Sequence, residues 1–230
     1  VRAAKKLGCQ FLTETEVIGI LREGERVTGI TTNRGDFYAG TVVNACGVWG
    51  NDLVKMLGYD MPIRPRRGQI VALEQRAPYV YHMITSSLYQ TIKFHPELIT
   101  DEAIQRIGYS FAIEQTESGT TILSGTREFA GFDRGVTTEA IGKIIAGAAK
   151  VYPCVKDMKI IRTFAGLRPY TPDGLPIVGS LGHYTGFCMA CGHEGDGIAL
   201  APITAQLVTE LIVNGETSLD ITPLSWQRFA

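Results

Sequence analysis

The sequence predicts an α/β domain interrupted by an inserted antiparallel sheet, an α/β plus α+β architecture. Three observations predict it. Two apolar runs, Thr41 to Cys46 and Tyr184 to Ala190, each lead through glycine into a helical pattern. A buried strand, a glycine turn and a helix are the repeating step of an α/β sheet, with ligands gathering at the carboxyl ends of the strands. Between these runs, residues 63–154 carry strand-length segments separated by turn signals. A long strand pattern from Lys159 to Arg168 then leads back to the second α/β step. The predicted division is 1–62 with 155–230 for the discontinuous α/β domain, and 63–154 for the insertion.

The chain opens on Val1-Arg2-Ala3-Ala4-Lys5-Lys6-Leu7-Gly8, a short amphipathic helix with a glycine stop. Entered in mid-flow and without Met, it leads us to expect a fragment of a longer protein. Phe11 to Ile20 reads as a strand. Glu23-Gly24-Glu25-Arg26 turns into Val27–Thr32, and Asn33-Arg34-Gly35 turns again into Asp36–Tyr38, a small meander. A helix follows from Val48 to Leu57, stopped by Gly58. In the insertion, Gly68–Glu74, Tyr79–Met83, Gln90–Phe94, Tyr109–Gln115 and Thr120–Gly125 read as strands, the last two as a hairpin. A short helix begins near Thr100-Asp101-Glu102. Thr137-Thr138-Glu139 caps a longer one that Pro153 ends after Tyr152.

The densest signal lies from Gly166 to Pro202. Pro172-Asp173-Gly174 is a turn, because Pro presets φ and Gly accepts positive φ. After the strand Tyr184–Ala190 come Gly192, Gly195 and Gly197. Ile198, Leu200, Ile203, Leu207, Val208, Leu211 and Ile212 then follow a helical period. A helix start offers backbone N–H groups and a positive dipole end, and glycines let a flat or anionic group come close.

Composition bounds the function. With 45% hydrophobic and 20% charged residues, the 230-residue chain is an ordinary globular sequence. A net charge of −1 gives no electrostatic case for nucleic acid or anionic membranes. No apolar run approaches the roughly 20 residues of a membrane span, and no signal peptide is visible. Five scattered cysteines argue against a disulfide framework and favour a reducing, cytoplasmic setting. Cys188 and Cys191 have C-x-x-C spacing, but on a strand such positions face opposite sides, and no further ligands complete a metal site.

Four motifs in order complete the reading. They are Val42-Val43-Asn44-Ala45-Cys46-Gly47-Val48-Trp49, Pro62-Ile63-Arg64-Pro65-Arg66-Arg67-Gly68-Gln69, Gly166 to Gly179, and Gly192 to Pro202. Together they resemble the FAD-dependent amine oxidoreductases of the D-amino-acid oxidase type. Members include glycine, sarcosine and D-amino-acid oxidoreductases. The spelling Gly192-His193-Glu194-Gly195-Asp196-Gly197 looks most like the flavoprotein subunits of hydrogen cyanide synthase and opine oxidase. The resemblance implies a partial FAD/NAD(P)-binding, Rossmann-like domain around a substrate-domain sheet. No G-x-G-x-x-G unit follows an N-terminal strand, so the pyrophosphate cradle of the family is expected outside this chain.

The resemblance also implies roles. Val17 lies where the family's backbone meets adenine, and Ala45, Gly47 and Trp49 where it contacts the dinucleotide. Gly68 lies near the flavin approach. Gly192, His193, Gly195, Gly197 and Ile198 would line the pyrimidine edge of the isoalloxazine, where a helix dipole stabilises negative charge on the reduced ring. Glu194 and Asp196 are expected as loop charges turned away from it. Packing alone would also explain a strand valine, a glycine turn or a packed histidine. Arg168 would bind a substrate carboxylate through its two parallel donors, or form a structural ion pair. Tyr81, Tyr89, Lys93 and His95 are further pocket candidates, while Arg66 and Arg67 are expected in solvent.

The covalent-flavin cysteine of monomeric sarcosine oxidases would fall near Gly166 and is missing, implying noncovalent FAD. The implied reaction is oxidation of a small amino acid or secondary amine to an imine by hydride transfer, without a dedicated base. The alternatives are a flavoprotein subunit passing electrons to partner subunits, which could also hold it at a membrane, and a non-catalytic flavin-fold module.

Overall fold

The computed structural model describes all 230 residues. In chain order it contains α1 (Arg2–Lys6), β1 (Val17–Glu23), β2 (Arg26–Thr32), β3 (Gly35–Tyr38), β4 (Val42–Asn44) and α2 (Gly50–Lys55). There follow β5 (Arg64–Gln75), β6 (Ile84–Thr85), α3 (Ser87–Phe94), α4 (Glu102–Ile107), β7 (Ala112–Gln115), β8 (Thr120–Ser124), α5 (Thr138–Val151) and β9 (Ile160–Tyr170). The chain closes with β10 (Ile177–Leu181), β11 (Tyr184–Cys191) and α6 (Gly197–Asn214). It divides into two units: Val1–Ile63 with Thr171–Ala230, and Arg64–Tyr170.

Unit 1 is built on a six-stranded mixed sheet in which β10, β11 and β2 are neighbours and β4 pairs with β11. The β4–β11 pairing is parallel, aligning Phe187 with Val42 and Met189 with Asn44. One face is the main core, where Val27, Val54, Leu57, Ile177, Phe187 and Met189 are buried together. On the other, Val208 of α6 packs on Val178 and Cys188. Cys188 and Cys191 therefore face opposite sides of the sheet. Burial pushes both thiols up, Cys191 to about 11, so neither is a ready thiolate at neutral pH.

By length and composition, α6 is apolar enough to cross a membrane, with a mean hydropathy of 1.4 over its 18 residues. Yet it carries Gln206 and Glu210 one turn apart, with Gln206 Nε2 donating to Glu210 Oε1 at 2.7 Å. Its Leu207 and Val208 are buried in unit 1.

Unit 2 is a five-stranded antiparallel sheet in the order β6-β7-β8-β5-β9. Along β5, Arg67, Gln69, Val71 and Leu73 alternate onto one buried face, while Arg66, Gly68 and Ile70 point to the other. Val71, Leu73, Ile113 and Leu123 pack with Ile144 and Ala148 of α5. Each of the Val, Leu and Ile side chains contributes about 1.5–3 kcal/mol by leaving water. The α5 start is capped as its sequence predicts, with Thr137 Oγ1 accepting from Ala140 N at 3.3 Å.

Several expectations shift. The return to unit 1 falls after Tyr170, not at 154/155, because β9 pairs with β5 from Arg64↔Tyr170 to Leu73↔Ile160. Arg168 accordingly sits in unit 2. Residues 90–94 are helical rather than extended. The half-buried Leu88, Tyr89 and Lys93 flank buried Ile92 at helical spacing, and β-branched Thr91 and Ile92 mislead a strand reading. The expected strand at 79–83 is displaced to Ile84–Thr85. The first strand starts only at Val17, since Glu14 has φ 54° and Asn33 binds both Glu14 O and Glu16 N.

Candidate functional site

In unit 1 the carboxyl ends of β4 and β11 lie side by side, and the sequence candidates gather there. Asn44, fully buried, shapes the turn after β4: its Nδ2 donates to Gly50 O at 2.8 Å and its Oδ1 accepts from Cys46 N at 3.2 Å. Gly47 then takes φ 57° to start a 3₁₀ turn that leaves Trp49 half exposed. Gly50 lies against Cys191, whose Sγ would stand 2.7 Å from any Cβ placed there.

After β11, Gly192 reverses the chain at φ 82°, and a Cβ there would stand 2.8 Å from Thr171 Cγ2. Glu194 follows at φ 47°, and Gly195 N donates to its Oε2 at 2.5 Å. Glu194 is buried at 8% exposure, so it is a built part of the loop rather than a solvated charge. His193 Nε2 meets Thr204 Oγ1 at 3.0 Å, and burial lowers its pKa, favouring the neutral imidazole. No side chain caps the first turn of α6, which leaves backbone donors aimed outward. Beside this start a pocket of about 350 Å³ is walled by small residues, including Ala45, Ala190, Gly197 and Ala201, together with His193. Ile198 stands 95% exposed at the same helix start. Val17 lies apart from this pocket as the first residue of β1, paired with Thr32.

In unit 2 the face of β5 and β9 away from α5 carries the charged candidates. Arg168 lies directly opposite Arg66 in the ladder. Its Nη1 donates to Thr126 O at 3.0 Å, and its guanidinium covers Gly68, where a Cβ would collide with it. Gly68 thus serves as the floor under Arg168. Beside it is a pocket of about 480 Å³ whose lining includes Arg66, Lys93, Arg106 and Arg127. Aromatic rings hold two of these cations: Arg66 lies 4.9 Å from the Tyr170 ring, and Arg127 4.1 Å from that of Tyr89. Of the other candidates, Tyr81 is exposed and His95 pairs with Glu97 at 3.2 Å.

Arg67, expected in solvent, is buried. Its Nη2 donates to Glu128 Oε2 at 2.7 Å and its Nη1 to Asp133 Oδ2 at 2.5 Å. Gln69 joins the network through Glu128 Oε1 at 2.8 Å and accepts from Thr137 N at 2.8 Å. Sequence reasoning missed Glu128 and Asn44. The alternation of Arg66 and Arg67 on a strand was the available signal for a buried partner of Arg67.

Residues 1–211 match the model of the family described as FAD dependent oxidoreductase. The chain belongs to this family. It is 33% identical to the hydrogen cyanide synthase subunit HcnC of Pseudomonas aeruginosa, over all of this chain and 50% of that protein. It is 31% identical to a glycine oxidase of the same organism, over 91% of this chain and 52% of that one. Among solved structures, L-proline dehydrogenase from P. horikoshii matches with a TM-score of 0.85 and 29% identity, over 98% of this chain and 56% of that chain. The chain spans about half the length of these relatives.

The unit 1 loop fits an FAD ring system on its own terms. It combines an uncapped helix start, a small-residue wall and exposed apolar Trp49 and Ile198, the surface a flat ring would cover.

Proposed function

We propose that this chain forms part of an FAD-dependent enzyme that oxidises the C–N bond of a small amino acid or secondary amine to an imine. The observation that carries the reading is Arg168, held by the Thr126 carbonyl over a glycine floor on a cation-rich face. A guanidinium so placed can take a carboxylate through two parallel N–H donors. FAD, when bound, supplies the hydride acceptor. In this reading, noncovalent FAD is held by Ala45, Gly47 and Trp49 and by the 192–198 loop, with Val17 toward its adenine. The backbone donors at the α6 start favour negative charge on the reduced ring. Burial favours the neutral form of His193, so stabilising negative charge there is left to those backbone donors. Arg168 orients the substrate, and no side chain of this chain is assigned as a base.

A second reading follows from the 33% identity to HcnC: a flavoprotein subunit that passes electrons to partner subunits. The ordered anchor at Arg168 favours either reading over a non-catalytic module. A cytoplasmic location accompanies both, with partner subunits holding the protein at the membrane periphery in the second.

The test uses the full-length protein. Its flavin spectrum should bleach anaerobically with at least one of glycine, N-methylglycine, proline or a D-amino acid. Absence of bound flavin sinks the assignment. Arg168→Ala should lower kcat/KM for a carboxylate substrate about 100-fold, as expected for losing a charge-assisted pair. An unchanged kcat/KM removes the anchor.

A further inference from the structure

The last residues of unit 1 close onto the turn that supports the glycine loop. Trp226 and Phe229 pack against the main core of unit 1, with the Trp226 ring 4.8 Å from that of Tyr59 and edge-on to it. Between them, Arg228 commits every nitrogen of its guanidinium. Nε and Nη2 donate to the two carboxylate oxygens of Asp173, at 2.6 and 3.4 Å. Nη2 also donates to Leu175 O at 2.8 Å, and Nη1 to Ser225 O at 2.9 Å. Asp173 and Leu175 lie in the turn that Pro172-Asp173-Gly174 predicts. There Asp173 Oδ1 accepts from Leu175 N at 3.1 Å, and Gly174 N donates to Thr171 O at 3.0 Å. Thr171 Oγ1 donates to Leu175 O at 2.8 Å, which orients this fully buried side chain. Its methyl is the nearest neighbour of the space beside Gly192, followed by Ile177 N and Pro176 Cα. The first residue of the loop therefore rests on the turn that Arg228 holds. An exposed ion pair adds little stability by itself. A planar fork that grips a carboxylate and a carbonyl together fixes geometry instead.

We propose that Arg228 is a positioning residue for the 192–198 loop. By fixing the 171–175 turn, it sets where the backbone donors of the α6 start meet the pyrimidine edge of FAD. This rests on the proposed flavin reading and adds to it a control exerted from the far end of unit 1.

The test uses the full-length protein with two mild substitutions. Arg228→Lys keeps the charge and loses the fork, while Asp173→Asn keeps the acceptor for Leu175 N and loses the charge. They lie at opposite ends of the clasp, so one folded variant suffices. In the flavin-free protein, amide hydrogen exchange at residues 192–198 should be at least about threefold faster in each variant, with α5 amides unchanged. In the flavin-loaded protein, the midpoint potential of bound FAD should become more negative, because displaced donors stabilise the reduced ring less. Parent-like exchange in the loop overturns the proposal. So does acceleration that extends equally to α5, since that reports a general loss of stability. Faster loop exchange with an unchanged potential also overturns it, leaving a clasp with no effect on the flavin. A parent protein that binds no FAD defeats the flavin reading and the proposal together. A flavin-binding parent whose variants keep its potential defeats the proposal alone.

Discussion

The glycine loop of unit 1 and the arginine face of unit 2 draw on different parts of the polypeptide. The loop offers backbone donors, a wall of alanines and glycine, and an imidazole that burial keeps neutral. The face offers long cationic side chains whose positions come from rings, a carbonyl and a glycine floor. Behind that face, on the other side of β5, the ion pairs of Arg67 hold the strand to residues 128–133. A site made of backbone is sensitive where its φ angles are unusual. A site made of side chains depends on whatever fixes the strand that bears them.

The largest expected effect tests that dependence. Glu128→Ala removes the main partner of buried Arg67 and should cost about 3–5 kcal/mol of unfolding free energy, with Asp133 retaining a contact. Chemical denaturation measures it. A loss below about 1 kcal/mol would mean that the buried pair does not support the face.

In unit 1, Gly192→Ala should cost about 1–3 kcal/mol, from positive φ and from the close Thr171 methyl. Thermal unfolding checks this. Gly166, whose added Cβ would meet nothing within 4 Å and whose φ is not positive, serves as the control for an alanine replacement. Equal losses at the two glycines would erase the proposed sensitivity of the loop to backbone geometry.

The smallest effect is in pH dependence. The folded pKa of His193 lies below its ordinary value of 6.5 because of burial. The unfolded state therefore binds more protons as the pH drops. The stability associated with neutral His193 is present above about pH 6.5 and is lost as pH falls through the folded pKa. His193→Gln should flatten the Tm profile over that acidic window. A profile identical to the parent's removes His193 as its source.

Legibility in the sequence followed the same division. The loop was readable because its glycines and the apolar pattern of α6 are contiguous, and backbone chemistry is local. The opposition of Arg66 and Arg168 was not, because only strand register brings residues so far apart in sequence together. The same register moved the unit boundary to Tyr170. Helix α3 was hidden because β-branched Thr91 and Ile92 suit a strand, while the buried spacing around Ile92 is set by its packing. The motif around Arg67-Gly68-Gln69 was visible, but Glu128, the partner that buries Arg67, carried no local mark.

The pairing of Arg64 with Tyr170 at the mouth of unit 2 also has a consequence for how the chain folds. Unit 2 is one continuous segment, so it can fold before the last strands of unit 1 are available. Unit 1 must join β4 to β11 across that whole segment. Closing a flexible loop of roughly a hundred residues costs about 4 kcal/mol of chain entropy. Once the β5–β9 ladder zips, Ile63 and Thr171 flank a formed strand pair, and most of that cost is already met. The insertion then acts as an internal clasp for the domain it interrupts. Mutations that weaken the ladder should slow the assembly of unit 1, even where they leave its own contacts intact.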